Sequence, residues 1–337
     1  MPTPSSPVSS SSLAPGLVPC LLVAVLAVIV NLAAPAVSPL LIAIVLGALL
    51  TNVTEIPESW GAGVQFASKK LLRVGIVLLG LQLAIGDILS LGWRVILGVI
   101  LVVTLSLLGT LAMARLLGIS RPLSILIACG FSICGAAAVA GVEDIADADE
   151  EEVATAIALV VLFGTLMIPL APLAAHAMGM GEVAGGTWIG ASTHEVAQVV
   201  AAGGAYGAAA LSVAVIVKLT RVVLLAPVAV ALSFAERSRG TLREGAKRPP
   251  IVPLFVVGFL VMIGIGSLHI IPAGALSGLK VLQTGLLAAA MFALGLGVKV
   301  KGLMRVGGRP VILGALSTVW IALLALAMVV LSGTMGA

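Results

Sequence analysis

Long apolar runs, each close to the length of a membrane-spanning helix, recur through this chain of 337 residues and restrict what it can fold into. A helix needs about 20 predominantly apolar residues to cross a bilayer. Hydrophobic residues make up 61% of the sequence and charged residues only 9%, whereas a soluble domain carries about 25% charged residues. Because a soluble protein needs a polar exterior, we expect an all-α polytopic membrane protein surrounded mostly by lipid.

The apolar runs predict about eleven transmembrane helices. We place them at 14–33, 38–52, 68–87, 91–117, 121–142, 152–177, 183–204, 207–234, 251–270, 279–298 and 309–333. Residues 1–13 are rich in Ser and Pro and lack Lys and Arg. We therefore expect a disordered cytoplasmic tail rather than a secretory signal, followed by a single transmembrane unit at 14–337.

The basic residues set the predicted orientation. With the amino terminus in the cytoplasm, Arg94 and Lys280 face outward. The inner loops then hold the basic clusters at 69–73, 115–121, 237–248 and 299–309. This bias satisfies the positive-inside rule and predicts a multi-pass protein of the inner (plasma) membrane with its carboxy terminus outside. The net charge of +4 belongs to these loops, so no nucleic-acid partner is expected.

An acidic run at 143–152 carries seven carboxylates and falls on the outer side in this scheme. Acidic side chains are favourable beside the amino-terminal end of a helix dipole, so the run predicts a solvated loop that opens the sixth helix. A vestibule that attracts cations is the alternative. Neither would repel an anion at the bilayer midplane, because exposed charges are screened within a Debye length.

Two internal similarities point to repeats. Residues 70–75 resemble 280–285, and Gly-x-x-Val-Ile-Leu-Gly occurs at both 92–98 and 308–314. In the eleven-helix count these copies run in opposite directions, which predicts inverted repeats of the kind common in transporters. Residues 134–169 also resemble 192–227, but those segments would run parallel in the same count. One simple duplication does not explain both similarities.

The eighth predicted span contains two cations, Lys218 and Arg221, near the middle of an apolar run. They lie three residues apart and therefore on one helix face. A charged side chain at this depth costs about 2.5–3.5 kcal/mol, and neither side chain is long enough to reach the interface. A cavity, a partner or a bound anion is needed to offset that cost.

The seventh span carries a polar stretch that predicts a broken helix. It contains Ser192, Thr193, His194 and Glu195. The half-helix that begins here would direct its positive end at a ligand. Glu195 could pair with Lys218 for purely structural reasons, and His194 could bind a proton or donate to an anion.

The fifth span is rich in small residues around Ser132, Cys134 and Gly135. This pattern is typical either of close helix packing or of a second unwound segment that meets the first near the midplane. The chain's cysteines, Cys20, Cys129 and Cys134, all lie in apolar runs without a Cys-x-x-Cys motif or a histidine cluster. We therefore expect neither a disulfide framework nor a zinc site.

Three of these stretches, 132–135, 193–203 and 217–221, resemble motifs of a bacterial membrane-protein family whose members are often labelled sulfate exporters. The resemblance extends from about residue 17 to 333. That family is similar to the bile-acid/sodium symporters and cation/proton antiporters. This kinship implies panel and core subdomains interleaved in sequence, with two discontinuous crossing helices. The fifth span would be one of them, and the superfamily's five-helix repeat would place the second in the tenth span.

These observations predict a secondary transporter of a small anion, sulfate or a related sulfur oxyanion, that works by alternating access. The expected binding residues are Ser132, Cys134, Gly135, Ser192, Thr193, His194, Glu195, Lys218, Thr220 and Arg221. Glu195 or His194 would carry a coupling proton. The alternatives are an Na⁺- or H⁺-coupled carrier of an organic acid, or a membrane scaffold without transport. No enzyme activity, cofactor or metal is expected, and a homodimer is left open.

Overall fold

A computed structural model of the protein describes residues 13–34, 38–238, 254–297 and 307–336. Within these ranges the chain is helical and contains no strand. In chain order the helices are α1 (Ala14–Ala33), α2 (Pro39–Val53), α3 (Gly61–Phe66), α4 (Leu72–Leu79), α5 (Ile85–Ser90), α6 (Trp93–Leu116), α7 (Arg121–Ser132), α8 (Ala136–Ala146), α9 (Glu150–Ala177), α10 (Glu182–Ser192), α11 (Val196–Tyr206), α12 (Ala208–Val223), α13 (Leu225–Ser238), α14 (Leu254–Ser267), α15 (Ala273–Leu296) and α16 (Gly308–Ser332). The all-α fold class is confirmed.

Six helical segments of the described chain are long and apolar enough to cross a membrane. They are α1, α6, α9, α12 with α13, α15 and α16. Each of the eleven predicted spans has a helical counterpart in the structure. The basic residues at 239–248 and 299–306, on which part of the orientation argument rests, lie outside the described residues.

The third predicted span, 68–87, is wrong in its bounds. Helical structure begins at Gly61, and a π-helical segment, Ala67–Leu71, joins α3 to α4. Lys69, Lys70 and Arg73 therefore lie on a helix rather than in a loop. A glycine near the start of α3 lets this helix approach α1 closely. A Cβ added to Gly63 would lie 2.3 Å from the Leu13 carbonyl oxygen.

The first discontinuous segment doubles back instead of crossing. Ser120, before α7, donates a hydrogen bond to Glu152 at the start of α9, over 2.5 Å. A continuous helix over 121–146 would hold its ends about 39 Å apart. Near the break, a Cβ on Gly130 would meet the Val139 side chain at 2.9 Å, so α7 and α8 lie side by side. Together they form a re-entrant hairpin, which we call hairpin 1.

The second discontinuous segment is built in the same way. The Tyr206 hydroxyl at the end of α11 donates to the carbonyl oxygen of Met180, which precedes α10. Glu182 Oε2 accepts a hydrogen bond from the backbone N–H of Ala209 at the start of α12, over 2.9 Å. The start of α10 therefore lies beside the end of α11. We call α10 and α11 hairpin 2.

The hairpins enter from opposite faces of the helix bundle. Hairpin 1 begins and ends beside the start of α9, and hairpin 2 follows the end of that helix. With 28 residues, α9 is about 42 Å long and connects the two faces. We call the face at Ser120 and Glu152 the first face, and the face at Met180 and Tyr206 the second face.

Hairpin 1 overturns the predicted location of the acidic run. Lys69 lies 3.0 Å from Glu143, and Arg73 lies 3.0 Å from Asp144. The sequence predicted these cations on the inside and these carboxylates on the outside, but both sets lie at the first face. The prediction failed because it counted 121–142 as one crossing, whereas a re-entrant segment returns the chain to its starting side.

Hairpins also account for the second internal similarity. Helix α9 begins at Glu150 and α12 at Ala208, 58 residues later, which is also the separation of Cys134 from Ser192. Each unit is thus a hairpin followed by a long helix. Since the hairpins enter from opposite faces, the two units run in opposite directions rather than parallel.

The helices form two bundles. The scaffold bundle contains α1–α4, α14 and α15, and the hairpin bundle contains α6–α13 and α16. In the tenth predicted span, α15 is continuous from Ala273 to Leu296 and begins before the predicted residue 279. The expectation of a second broken helix in that span, drawn from the family resemblance, is therefore wrong. The second break lies in hairpin 2.

Candidate functional site

The tip of hairpin 1 is a short break that depends on a glycine. Helix α7 ends at Ser132 and α8 begins at Ala136. Gly135 has a φ of +76°, a conformation that side-chain-bearing residues rarely adopt. A Cβ on Gly135 would also lie 2.2 Å from Glu195 Cγ. Glycine is thus required both by the backbone conformation and by the close approach of hairpin 2.

The tip of hairpin 2 is extended. Thr193 has φ −75° and ψ 151°, and Glu195 has φ −113° and ψ 154°. Helix α11 begins at Val196, and the Glu195 N–H donates to Gln198 Oε1 over 3.0 Å. This is the side-chain capping expected where a helix restarts without a preceding turn.

The two tips are joined directly. The backbone N–H of Ala136, at the start of α8, donates a hydrogen bond to Glu195 Oε1 over 2.9 Å. The carboxylate of hairpin 2 therefore caps the half-helix of hairpin 1, where its negative charge faces the positive end of the helix dipole. Glu195 is 7% exposed.

Lys218, from α12, holds the carbonyl ends of both broken helices. Its Nζ donates to the oxygens of Ile133 at 2.8 Å and Thr193 at 2.9 Å, and also to that of His194. An ammonium has three N–H donors and no acceptor, so three carbonyl partners match the charged form. A neutral amine would direct its lone pair at a carbonyl oxygen.

Arg221 performs the same role one turn later. Its guanidinium donates hydrogen bonds to the backbone carbonyl oxygens of Ser132 and Phe131 in hairpin 1, at 3.3 and 3.0 Å. In hairpin 2 it donates to the backbone carbonyl oxygens of Gly190, Ala191 and Thr193, at 3.2, 2.7 and 2.8 Å. Lys218 and Arg221 are both 0% exposed. They are as deep as the sequence predicted, but the negative ends of two half-helices, rather than a carboxylate, compensate them.

Most of the other expected binding residues turn away from the tips. The Ser132 hydroxyl donates to Ser106 over 2.9 Å, and that of Ser192 to the Trp188 carbonyl over 2.7 Å. Thr220 donates to the Ile216 carbonyl over 2.8 Å. These three hydroxyls have protein partners in their own helix or in α6.

His194 packs between hairpin 1 and α16. Its ring lies 4.5 Å from the ring of Phe131, centroid to centroid, and its Nε2 lies 3.0 Å from Thr318 Oγ1. The imidazole is fully buried. The hydroxyl of Thr193 is buried and has no hydrogen-bond partner among the described residues, while its carbonyl oxygen accepts from both cations.

A cavity of about 400 Å³ reaches the tips from the second face, between the two bundles. Cys134, Ala137, Glu195, Val196 and Ala197 form the part of its wall that belongs to the hairpin tips. First-turn N–H groups of a helix lack intrahelical partners, and Ala137, Val196 and Ala197 belong to such first turns. Of the predicted site residues, Cys134 and Glu195 line this cavity.

The scaffold wall of the cavity carries polar residues that the sequence analysis missed. Gln82 donates a hydrogen bond to Gln283, and Lys280 and Thr284 lie on the same side. Gln283 is 4% exposed. A single glutamine in an otherwise apolar run was the available signal. Hydropathy alone does not separate it from a glutamine at a helix end.

A second cavity of about 960 Å³ lies at the first face, also between the bundles. Its wall includes Glu58, Lys69, Glu143, Asp144 and Glu150. The two cavities thus approach the boundary between the bundles from opposite faces, and the first one reaches the hairpin tips.

Two re-entrant hairpins that meet within a bundle of long apolar helices define a membrane protein with several apolar helices, an architecture consistent with a transporter-like role. The chain belongs to the family described as conserved hypothetical protein 698, whose sequence model matches residues 15–314.

Several relatives carry the name UPF0324 membrane protein. The one from Corynebacterium glutamicum is 52% identical over 93% of this chain and 91% of its own length. One from Listeria monocytogenes is 36% identical over 87% of both chains. One from Pseudomonas aeruginosa is 39% identical over 85% of this chain and 84% of its own. No solved structure matches this chain.

Proposed function

We propose that this protein is a secondary transporter of a small anion, which binds at the hairpin tips and crosses the membrane by alternating access. Sulfate and related sulfur oxyanions, to which the sequence resemblance points, are the first substrates to examine. The observation that carries the proposal is the positive charge of the tip region beside a cavity that is open at one face.

The charge follows from the buried groups. Each helix end carries about half a unit charge, positive at the amino end and negative at the carboxy end. Two carboxy ends, of α7 and α10, face Lys218 and Arg221, while two amino ends, of α8 and α11, adjoin the cavity. With Glu195 ionised, these groups sum to about one positive unit. An anion is therefore favoured over a cation.

Glu195 is suited to couple substrate to a proton. Its ionised carboxylate lies in the cavity wall, where it would repel an approaching anion. Protonation removes that repulsion and supplies a donor, so the anion and the proton would bind together. This arrangement supports proton coupling at Glu195 and leaves His194, enclosed by Phe131 and Thr318, as a structural group.

The two bundles support a mechanism of alternating access. Lys218 and Arg221 bind both hairpin tips, so the tips are expected to move as one body. The scaffold bundle would stay in place while the hairpin bundle carries the site from one cavity to the other. The ion pairs Lys69–Glu143 and Arg73–Asp144 connect the bundles at the first face.

The predicted kinship with bile-acid/sodium symporters and cation/proton antiporters is part of the same proposal. Two broken helices near the centre and two distinguishable bundles support it. The re-entrant hairpins depart from the crossing helices which that kinship implies. An orientation in the inner membrane with the amino terminus in the cytoplasm is also proposed, which would place the second face outside.

Flux in proteoliposomes tests the proposal. Uptake of radiolabelled sulfate and of short alkanesulfonates is measured with and without an imposed pH gradient. We expect saturable uptake of at least one of them, accelerated by the gradient. In Glu195→Gln the acceleration is lost. In Glu182→Gln, which removes a carboxylate that caps α12 outside the cavity, it is retained. The absence of saturable flux for every anion would overturn the proposal.

A further inference from the structure

The cavity at the hairpin tips is polar at its two ends and apolar between them. The deep end has the tip residues, and the scaffold wall nearer the second face has Gln82, Gln283, Thr284 and Lys280. The wall between them consists of aliphatic and methionine side chains: Leu40, Ile76, Leu79, Val200, Leu211, Val215, Leu219, Val222, Leu287 and Met291. Six of these side chains are buried, those of Ile76, Leu79, Leu219, Val222, Leu287 and Met291.

An apolar wall of this kind does not favour a bare inorganic anion. A multiply charged, strongly hydrated ion gains nothing from aliphatic side chains and loses its water beside them. Pockets of about 300–1,000 Å³ with mostly apolar walls and a few placed polar groups are typical of sites for small organic molecules. The cavity, at about 400 Å³, lies within that range.

The distance between the polar ends sets the size of an apolar body. On α15, Gln283 and Met291 are eight residues apart, which is about 12 Å along the helix. Met291 lies on the deep part of the wall and Gln283 on the polar part. The apolar belt is therefore about two helical turns high, which is long enough to accept a short hydrocarbon body.

We propose that the transported anion is organic: a singly charged oxyanion headgroup, sulfonate or carboxylate, carried on a short apolar body. The inference rests on the proposed transport function and narrows its substrate class. The headgroup accepts hydrogen bonds from the first-turn N–H groups at Ala137, Val196 and Ala197. The body lies against Val215, Leu219 and Leu287, with the amide pair Gln82–Gln283 at its far end.

The test compares chain lengths with a constant headgroup. Proteoliposomes containing the full chain are assayed for competition by n-alkanesulfonates of increasing length, by the matching alkanoates, and by sulfate. Each buried methylene should improve the apparent affinity by about fourfold until the cavity is filled. The sulfonate and alkanoate series distinguish the two headgroups, because only the series with the preferred headgroup should show measurable affinity for its shortest member.

A matched pair of variants tests where the apolar body of the substrate binds. Val215 lines the cavity, whereas Val213 lies two residues earlier on α12 and therefore about 200° around the helix, facing away from that wall. Val215→Asn should flatten the dependence of apparent affinity on chain length. Val213→Asn should leave the dependence unchanged.

Three results overturn the inference. Saturable sulfate flux with no gain along either organic series would contradict the organic substrate while leaving the anion transporter in place. If Val213→Asn and Val215→Asn change the chain-length dependence equally, the apolar body does not bind against this wall. No flux of any anion would overturn the transport function and the substrate class together.

Discussion

Glu195 Oε1 lies 2.9 Å from the backbone nitrogen of Ala136, so the carboxylate of one re-entrant hairpin caps the half-helix of the other. The contact joins two segments that enter from opposite faces. It also places an ionisable group where the chain leaves its helical conformation, beside the cavity. One residue thus contributes both to the packing of the tips and to the charge that a substrate meets.

The cap at Glu195 predicts a difference between two substitutions. Glu195→Ala removes the acceptor for the Ala136 N–H and should lower the free energy of unfolding by about 0.5–2 kcal/mol. Glu195→Gln keeps an oxygen acceptor and should lose less. Thermal unfolding in detergent measures both. Equal losses in the two variants would show that the charge, rather than the hydrogen bond, matters at this position.

Lys218 is predicted to be structural rather than a direct ligand of the anion. Lys218→Met removes the donor from the buried carbonyls of Ile133 and His194, while that of Thr193 keeps Arg221. Each unpaired carbonyl costs about 1–3 kcal/mol, so the protein should unfold at a clearly lower temperature or fail to purify as a single species. Lys280→Met, at an exposed lysine of the cavity mouth, is the control and should leave the unfolding temperature unchanged. A stable Lys218→Met protein with weakened anion affinity would contradict this prediction and show that the Lys218 ammonium binds the anion directly.

Gly135 predicts a sharp effect of one added methyl group. Gly135→Ala combines an unfavourable φ with a Cβ that would lie 2.2 Å from Glu195 Cγ, so both stability and flux should fall. The backbone strain alone costs about 1–3 kcal/mol. Gly204→Ala on α11 adds a Cβ that, within the described part of the chain, meets no atom beyond its own helical turn within 4 Å, so this variant should be neutral or stabilising. Full activity of Gly135→Ala would contradict the close contact of the tips.

The ion pairs at the first face predict a shift between transport states. Each pair of this kind contributes about 0–1 kcal/mol, so removing both pairs with Glu143→Gln and Asp144→Asn should raise the population of the alternative state by up to about thirtyfold. The measurement is modification of Cys134 by a membrane-impermeant thiol reagent added at the first face. Glu150→Gln, in the same cavity wall, is the control. An unchanged rate in the double variant would mean that the pairs do not hold the bundles together.

Much of the fold follows from hydropathy and side-chain chemistry. Apolar length located the helical segments, and the polar stretch at 192–195 predicted the break in the seventh span. The small residues at 132–135 predicted either a break or close helix packing in the fifth span, and the structure shows the break. The depth of Lys218 and Arg221 followed from their position in an apolar run. The groups that compensate their charges could not be predicted, because these groups are backbone carbonyl oxygens, which every residue has.

Re-entry could not be read from the sequence for a related reason. A segment of 26 residues with a central break has the same hydropathy whether its halves cross the bilayer or return. The contacts that decide between the two, Ser120 with Glu152 and Tyr206 with Met180, join residues distant in the chain. The misplaced acidic run was a direct consequence.

The two hairpins are tested most directly by the sidedness of single cysteines in oriented vesicles. The sites are four exposed positions, Leu116, Glu150, Gly181 and Ala208, each changed to cysteine and exposed to a membrane-impermeant reagent from one side at a time. Re-entrant hairpins predict that cysteines at 116 and 150 react from the same side, and those at 181 and 208 both from the other. Reaction of 116 and 150 from opposite sides would mean that the segment between them crosses the membrane, and the site described at the hairpin tips would not exist.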